Sequence, residues 1–364
     1  MKILMKRLIP LFLVLCLMLC ACSGTPEETV PSTAEPTQVP TTEAATVPPT
    51  TVPPTTEAPT EPPVLYTNPL TGEALDEPYT GRIFAVTISN VPQALPHYGV
   101  SQADMYFEML VNGGAIRGVA LYTDPSEVTA IGSVRSARLN FVDVCQAYDA
   151  VLVYSGGSNY VLNNIWNAGI PNLNESGYAC FFRDYTRYNS GYAWEHCLFI
   201  DGSQLVAAAE SENYRTTQLE DKDYCLNFAE EVALDGETAD KIRFNYWSND
   251  IKMNYDAETQ RYNYSVFGGE SIDGTTGEVE SFKNVILLLV DVYQDGEYHV
   301  SDIQGSGEGY FACNGKIVPI QWTREYEDDA FTYTLADGTP LELAVGNTYV
   351  GFVPDDDDCD ISWE

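Results

Sequence analysis

The rhythm of apolar and polar positions changes near residue 216. Before it, short apolar runs alternate with helical periodicity. Ile83-Phe84-Ala85-Val86-Thr87-Ile88 reads as a buried strand. Residues 104–110 and 116–122 read as two more, with Asn112-Gly113-Gly114 as the hairpin turn between them. Past Ile131-Gly132 the chain is expected to enter a helix with Leu139, Val142 and Cys145 on one face. Val151-Leu152-Val153-Tyr154 is a β-branched apolar strand. It leads through Ser155-Gly156-Gly157-Ser158 into a helix carrying Leu162, Ile165 and Trp166. Ser203 is placed to cap a last helix through Leu205 and Ala209.

Beyond residue 216 the pattern is mostly that of strands. Positions 242–247 alternate, and 255–262 form a hairpin with aromatic arms and a polar turn. Val285-Ile286-Leu287-Leu288-Leu289-Val290 has the unbroken apolar run of a central strand. Asp295-Gly296 and Asp337-Gly338 are turn dipeptides. Segments 331–335, 341–345 and 348–353 complete a set expected to be antiparallel, in a unit of six to eight strands. The fold class is therefore α+β. An amino-terminal α/β-type layered domain (65–215) precedes a mostly antiparallel β-rich carboxy-terminal domain (216–364).

The first 64 residues belong to neither domain. Lys2, Lys6 and Arg7 precede an apolar run over 8–19, the pattern of a signal peptide rather than a membrane span. The run ends in Leu19-Cys20-Ala21-Cys22, a bacterial lipobox in which a small residue precedes the acceptor, so Cys22 is the expected lipidation site at the end of segment 1–22. Lipid there would hold the chain to the outer face of the cell membrane. Residues 23–64 are almost all Thr, Pro, Glu, Ala and Val, a composition that cannot bury a core and serves as a tether. Extended at about 3.1 Å per residue, it would reach on the order of 100 Å.

Charge narrows the partners. A formal net charge of −35 argues against nucleic acid, whose phosphates would be repelled. Any site for an anion must be local. The six cysteines past Cys22 (Cys145, Cys180, Cys197, Cys225, Cys313 and Cys359) lack metal-finger spacing, and their pairing stays open. The three histidines, His97, His196 and His299, are dispersed, so neither a metal site nor a cofactor is indicated. Asp355-Asp356-Asp357-Asp358 lacks the alternating oxygen ligands of a calcium loop.

The ordered motifs of the globular part resemble the DUF3048 family of YerB-type lipoproteins. They run from Asn68-Pro69-Leu70-Thr71-Gly72 through Ser101-Gln102-Ala103-Asp104 and Glu108. They continue through Gly113-Gly114-Ala115-Ile116-Arg117, the run 131–138 and Ser155-Gly156-Gly157-Ser158. Trp247-Ser248-Asn249, Asp273-Gly274-Thr275-Thr276-Gly277 and Gly305-Ser306-Gly307 extend the resemblance over residues 66–354. It implies a lipid-anchored envelope protein, mainly of Gram-positive bacteria, and no established activity. Two places depart from the family pattern. Only His196 is kept of a Pro-His-Asn-Leu-Tyr-like segment at 194–199, and Ser271 stands where a histidine is usual.

The chain has no lysine between Arg7 and Lys222, yet it keeps arginines there, among them those at 82, 117, 135, 138, 183 and 187. Guanidinium grips a carboxylate or phosphate bidentately from a fixed direction. Arg135 and Arg138, three apart at an expected helix start, would share a face and add their charge to the helix amides. Either they pair internally with Glu108, Asp143 or Asp184, or they line an anion site with Arg117, Arg183 and Arg187. The two readings are compatible. The glycines of Ser155-Gly156-Gly157 suit a backbone nest for an anion.

Glu108 interrupts the apolar run Met105-Tyr106-Phe107-Glu108-Met109-Leu110. It either faces solvent or is buried with a partner. A desolvated Glu108 would have a raised pKa and could act as a general acid, with Asp184 or Asp143 across a cleft as the carboxylate pair of glycan cleavage. His196 is the third catalytic candidate, set against a structural role. Two function classes remain: a tethered module binding a cell-wall glycan, peptide or protein through an arginine-and-acid cleft, and a glycan- or peptidoglycan-directed enzyme using Glu108 with Asp184 or His196.

Overall fold

The computed structural model describes residues 66–364, so the expected signal peptide, Cys22 and tether lie outside the described residues. Its centre is an 11-stranded mixed sheet. Met105–Leu110 lies in the interior, antiparallel to Ile116–Tyr122, which in turn pairs with Phe84–Asn90. Val151–Tyr154 and Asn172–Asn174 extend that side in parallel. On the other side of Met105–Leu110 come Thr348–Pro354, Asn284–Val290, Gly305–Cys313 and Lys316–Arg324.

Alternation along these strands sends side chains to two cores. Met105, Phe107 and Met109 join Phe141, Val144, Val161 and Ile165 from the helices Leu139–Ala147 and Asn159–Asn167. Tyr106 and Leu110 face the other way, toward Ile242, Ile251, Met253 and Tyr262 of a six-stranded antiparallel sheet. The order of layers is helices, central sheet, second sheet, the α+β class that the patterns imply. Burial on both faces explains why the central strands read as apolar runs. Each such aromatic or aliphatic side chain contributes about 1.5–3 kcal/mol by leaving water.

The structure corrects several expectations. Thr348–Pro354 is parallel to both its neighbours, Asn284–Val290 and Met105–Leu110, and Glu342–Ala344 is parallel to Asn227–Ala229. The sheet is therefore continuous across residue 216, joined by a pairing over more than two hundred residues. Arg135 is not helical. The helix begins at Leu139 with Arg138 extended at its N-cap, because the preceding backbone bonds to neighbouring strands and loops. Asp201, rather than Ser203, accepts from the chain at the start of the last helical segment, donating groups being Ser203 N and Oγ. Among the described residues, the six cysteines past Cys22 form no disulfide. Among the described residues, no helix is long and apolar enough to cross a membrane.

Candidate functional site

Residues 133–138 are held as an extended strap. Ser89 N donates to Ser133 O, Val134 N to Leu198 O and Ala137 N to Gly156 O. Ser155 N and the Thr87 hydroxyl both donate to Arg135 O. The Leu198 contact comes from a small sheet in which Leu198–Ile200 pairs with Ile131–Gly132 and with Phe181–Arg183. This scaffold brings together arginines that are far apart in sequence.

Arg117 reaches the strap from the central sheet, its Nη1 donating to Ser136 O at 2.9 Å. Arg138 turns back to the same carbonyl at 3.3 Å and to Ala137 O at 2.8 Å, and its Nη2 donates to Asn112 Oδ1 at 2.6 Å. Both side chains are nearly buried, and their bonds go to neutral oxygens. Burial lowers the pKa of Arg117, and the charges of Arg138 and Arg135 lower it further. A guanidinium keeps its proton regardless. The consequence is a repulsive cationic cluster that an anion would relieve.

Arg135 completes the cluster. Its nearest carboxylate is the exposed Glu195, 3.7 Å from Nη2, and its buried Nε lacks a hydrogen-bond partner among the described residues. Nearby His196 is buried, with Nδ1 likewise unpartnered. Burial and then the charge of Arg135 push the His196 pKa below its ordinary value, against the pull of Glu195. A neutral imidazole between cations is a hydrogen-bonding group rather than a further charge. Arg183 stands on the same side. It donates to Trp194 O at 2.7 Å, pairs with Glu175, and lies 4.7 Å over the Trp194 ring. Glu175 also accepts from Ser155 Oγ at 2.6 Å.

Other candidates do not join this group. Glu108 is fully buried on the opposite face of the sheet from Arg117, since Met109, not Glu108, is the cross-strand partner of Arg117. It accepts from Tyr349 OH at 2.7 Å, Tyr264 OH at 2.9 Å and Asn90. Burial raises its pKa, against these donors and the charge of His97. A carboxyl so enclosed has no access to a glycan, so the expected pairing across a cleft with Asp184 or Asp143 is not formed. Asp184 accepts from Thr186 N and Arg187 N as the N-cap of a short helix, Tyr185–Asn189. Asp143 accepts from Asn140. Arg187 is an internal clamp. It donates to Pro96 O and Ala94 O and lies 4.1 Å over Tyr192. The Ser155-Gly156-Gly157 loop is no open nest, because Ser155 N donates to Arg135 O and Gly156 N to Asn174 Oδ1.

The sequence reading missed Glu195, Glu175 and Asn112 as partners of the arginines. It also missed the exposed rings of Tyr185, Tyr188 and Trp194 beside them. Asn112 was legible only as a turn residue. The rings had a signal: Phe181, Phe182, Tyr185, Tyr188, Tyr192 and Trp194 crowd a stretch with no aliphatic stripe to bury them.

Comparison with known proteins gives a consistent assignment. Residues 70–215 match the protein of unknown function (DUF3048) N-terminal domain, and residues 242–350 match its C-terminal domain. The chain is 26% identical over 309 residues to "Putative lipoprotein YerB" of Bacillus subtilis (strain 168), covering 81% of this chain and 88% of that protein. The crystal structure of YerB protein from Bacillus subtilis superposes with a TM-score of 0.70 at 24% identity, over 81% of this chain and 99% of that one.

Proposed function

The chain belongs to the DUF3048 family, and we propose that it is a lipid-anchored, extracytoplasmic module that binds an anionic cell-envelope ligand through Arg117, Arg135 and Arg138. The anchor reading rests on the Leu19-Cys20-Ala21-Cys22 pattern and on the name of the Bacillus relative. Lipid on Cys22 and the Pro- and Thr-rich tether would let the folded part reach into the wall from the outer face of the membrane. The observation that carries the binding reading is the cationic cluster itself. Three guanidiniums share one strap, and among the described residues the carboxylate within 4 Å of them is a single exposed one, Glu195. In a chain of net charge −35, carboxylates to neutralise them are abundant, so their scarcity here favours an external anion.

Sedimentation with purified cell walls tests this. The wild-type chain should co-sediment at low ionic strength and be released by salt, which screens exposed charge pairs. The double variant Arg135→Gln/Arg138→Gln should lose about tenfold in retention, roughly 1.4 kcal/mol. Equal retention of the variant and the wild type at low salt would sink the reading.

A further inference from the structure

Beside the arginine cluster lies a patch of exposed aromatic rings that the anion reading does not use. Tyr185, Tyr188 and Trp194 are 63%, 46% and 45% exposed, and Phe182 is 38% exposed. Tyr185, Tyr188 and Trp194 form one assembly. Trp194 meets Tyr188 edge to face at 5.3 Å and Tyr185 at 5.8 Å, while Phe182 packs on the buried Phe199 at 6.0 Å. Large rings left in water in one contiguous patch mark an interaction surface, whereas single exposed rings do not.

The platform is also fixed in place before any partner arrives. Asp184 caps the turn that carries Tyr185 and Tyr188, and Arg183 holds Trp194 both through its carbonyl and across its ring. Rigid rings lose little freedom on binding. The platform joins the cationic cluster directly, since Glu195, the residue after Trp194, lies 3.7 Å from Arg135.

The chemistry of the patch selects among partners. Its rings are flat and apolar, while Glu175, Asp184 and the tyrosine hydroxyls supply hydrogen-bonding groups around them. A pyranose ring matches this: one face is a row of C–H bonds that packs on an aromatic ring, and its hydroxyls point outward to a polar rim. A lipid surface does not match, because anionic headgroups would meet a chain of net charge −35 with acids at the patch itself. We infer that Trp194, Tyr188 and Tyr185 form a stacking platform for a sugar chain whose acidic substituent is held by Arg135. The inference rests on the anion-binding reading for the substituent, but the platform is carried by separate residues.

The test uses residues 23–364, because lipid on Cys22 would itself bind vesicles, with three probes: peptide-free peptidoglycan strands bearing carboxylates, the neutral N-acetylglucosamine hexamer, and phosphatidylglycerol vesicles. Calorimetric titration should show binding to the strands, weaker binding to the hexamer and none to the vesicles. Trp194→Ala and Tyr188→Ala should each weaken strand binding by about tenfold. Both should keep the rise in melting temperature that inorganic phosphate produces through the arginines. Arg135→Gln should remove that rise while leaving hexamer binding unchanged. Strand binding by both aromatic variants at the wild-type level would overturn the platform and leave the arginine site standing. Binding to vesicles in place of strands would overturn it as well. Loss of strand binding in the aromatic variants, with no phosphate effect in any protein, would uphold the platform and refute the anion site. Because Tyr188 and Trp194 are each about half exposed, wild-type melting temperatures are expected for both variants, so their binding is read on folded protein.

Discussion

At Glu108, three donors (Tyr349, Tyr264 and Asn90) converge on one carboxyl that no solvent reaches. Truncation would leave a buried cavity and take the acceptor from the Tyr264 hydroxyl, a loss of about 1–3 kcal/mol before the cavity is counted, while Asn90 keeps Tyr264 and Tyr349 keeps Tyr246 as partners. Urea unfolding of Glu108→Ala should therefore show a loss of about 3 kcal/mol or more, with wall retention of the folded fraction unchanged. A variant as stable as the wild type would remove the structural role given to this residue. His97 lies in the same interior, with Nδ1 3.0 Å from Glu280 and neither side chain exposed. Burial alone would lower the His97 pKa, but Glu280, and behind it Glu108 and Asp273, carry it above the ordinary 6.5. Glu108 is likewise raised above 4.5. For both groups the folded chain binds the proton more tightly than the unfolded chain. Their stabilisation is complete below the ordinary values and is lost as pH rises through the folded values. Unfolding free energies measured from acid to about pH 9 should decline on the alkaline side, and His97→Gln should flatten the decline above pH 6.5. A wild-type profile that is flat or rising there would contradict the assignment. Strand alternation groups Glu108 with Tyr106 and Leu110 on one face. It could not show that this face is covered by a second sheet, because the cover comes from residues 242–266.

Strands and helices were most legible where the signal was local. The hairpin at Asn112-Gly113-Gly114, the Leu139–Ala147 and Asn159–Asn167 helices and the central strand Asn284–Val290 all follow from periodicity and turn chemistry. The parallel placement of Thr348–Pro354 did not, since a strand buried on both faces carries no mark of its partners' direction. The strap at 133–138 was misread for a related reason. Its shape is set by hydrogen bonds to Ser89, Leu198 and Gly156, none of them within ten residues. The pairing of Glu108 with Gly118 shows a constraint of the same kind. A Cβ at Gly118 would lie 2.2 Å from the Tyr106 ring, which is itself fully buried and cannot retreat. Gly118→Ala should destabilise the protein by about 1–3 kcal/mol through overpacking. A urea midpoint unchanged from the wild type would contradict that packing.

Among the described residues of this strongly acidic chain, Arg117, Arg135 and Arg138 form a small cationic site with an aromatic shelf at its side. Such an arrangement repels most polyanions and admits an anion only where the arginines focus it. The sequence carried the arginines themselves and the lack of competing lysines, but not which of them meet. Arg117, Arg135 and Arg138 converge on Ser136 and its neighbours, whereas Arg82 is spent on Asp149 and Arg187 on Ala94 and Pro96. The most direct test is to follow arginine Nε–H resonances of the isotope-labelled chain while solubilised cell-wall fragments are added. The Arg135 Nε–H, which lacks a partner among the described residues, should shift along a saturating curve that salt abolishes, while that of Arg82 stays in place. An Arg135 resonance that does not move, or one that moves no more than that of Arg82, would contradict the account.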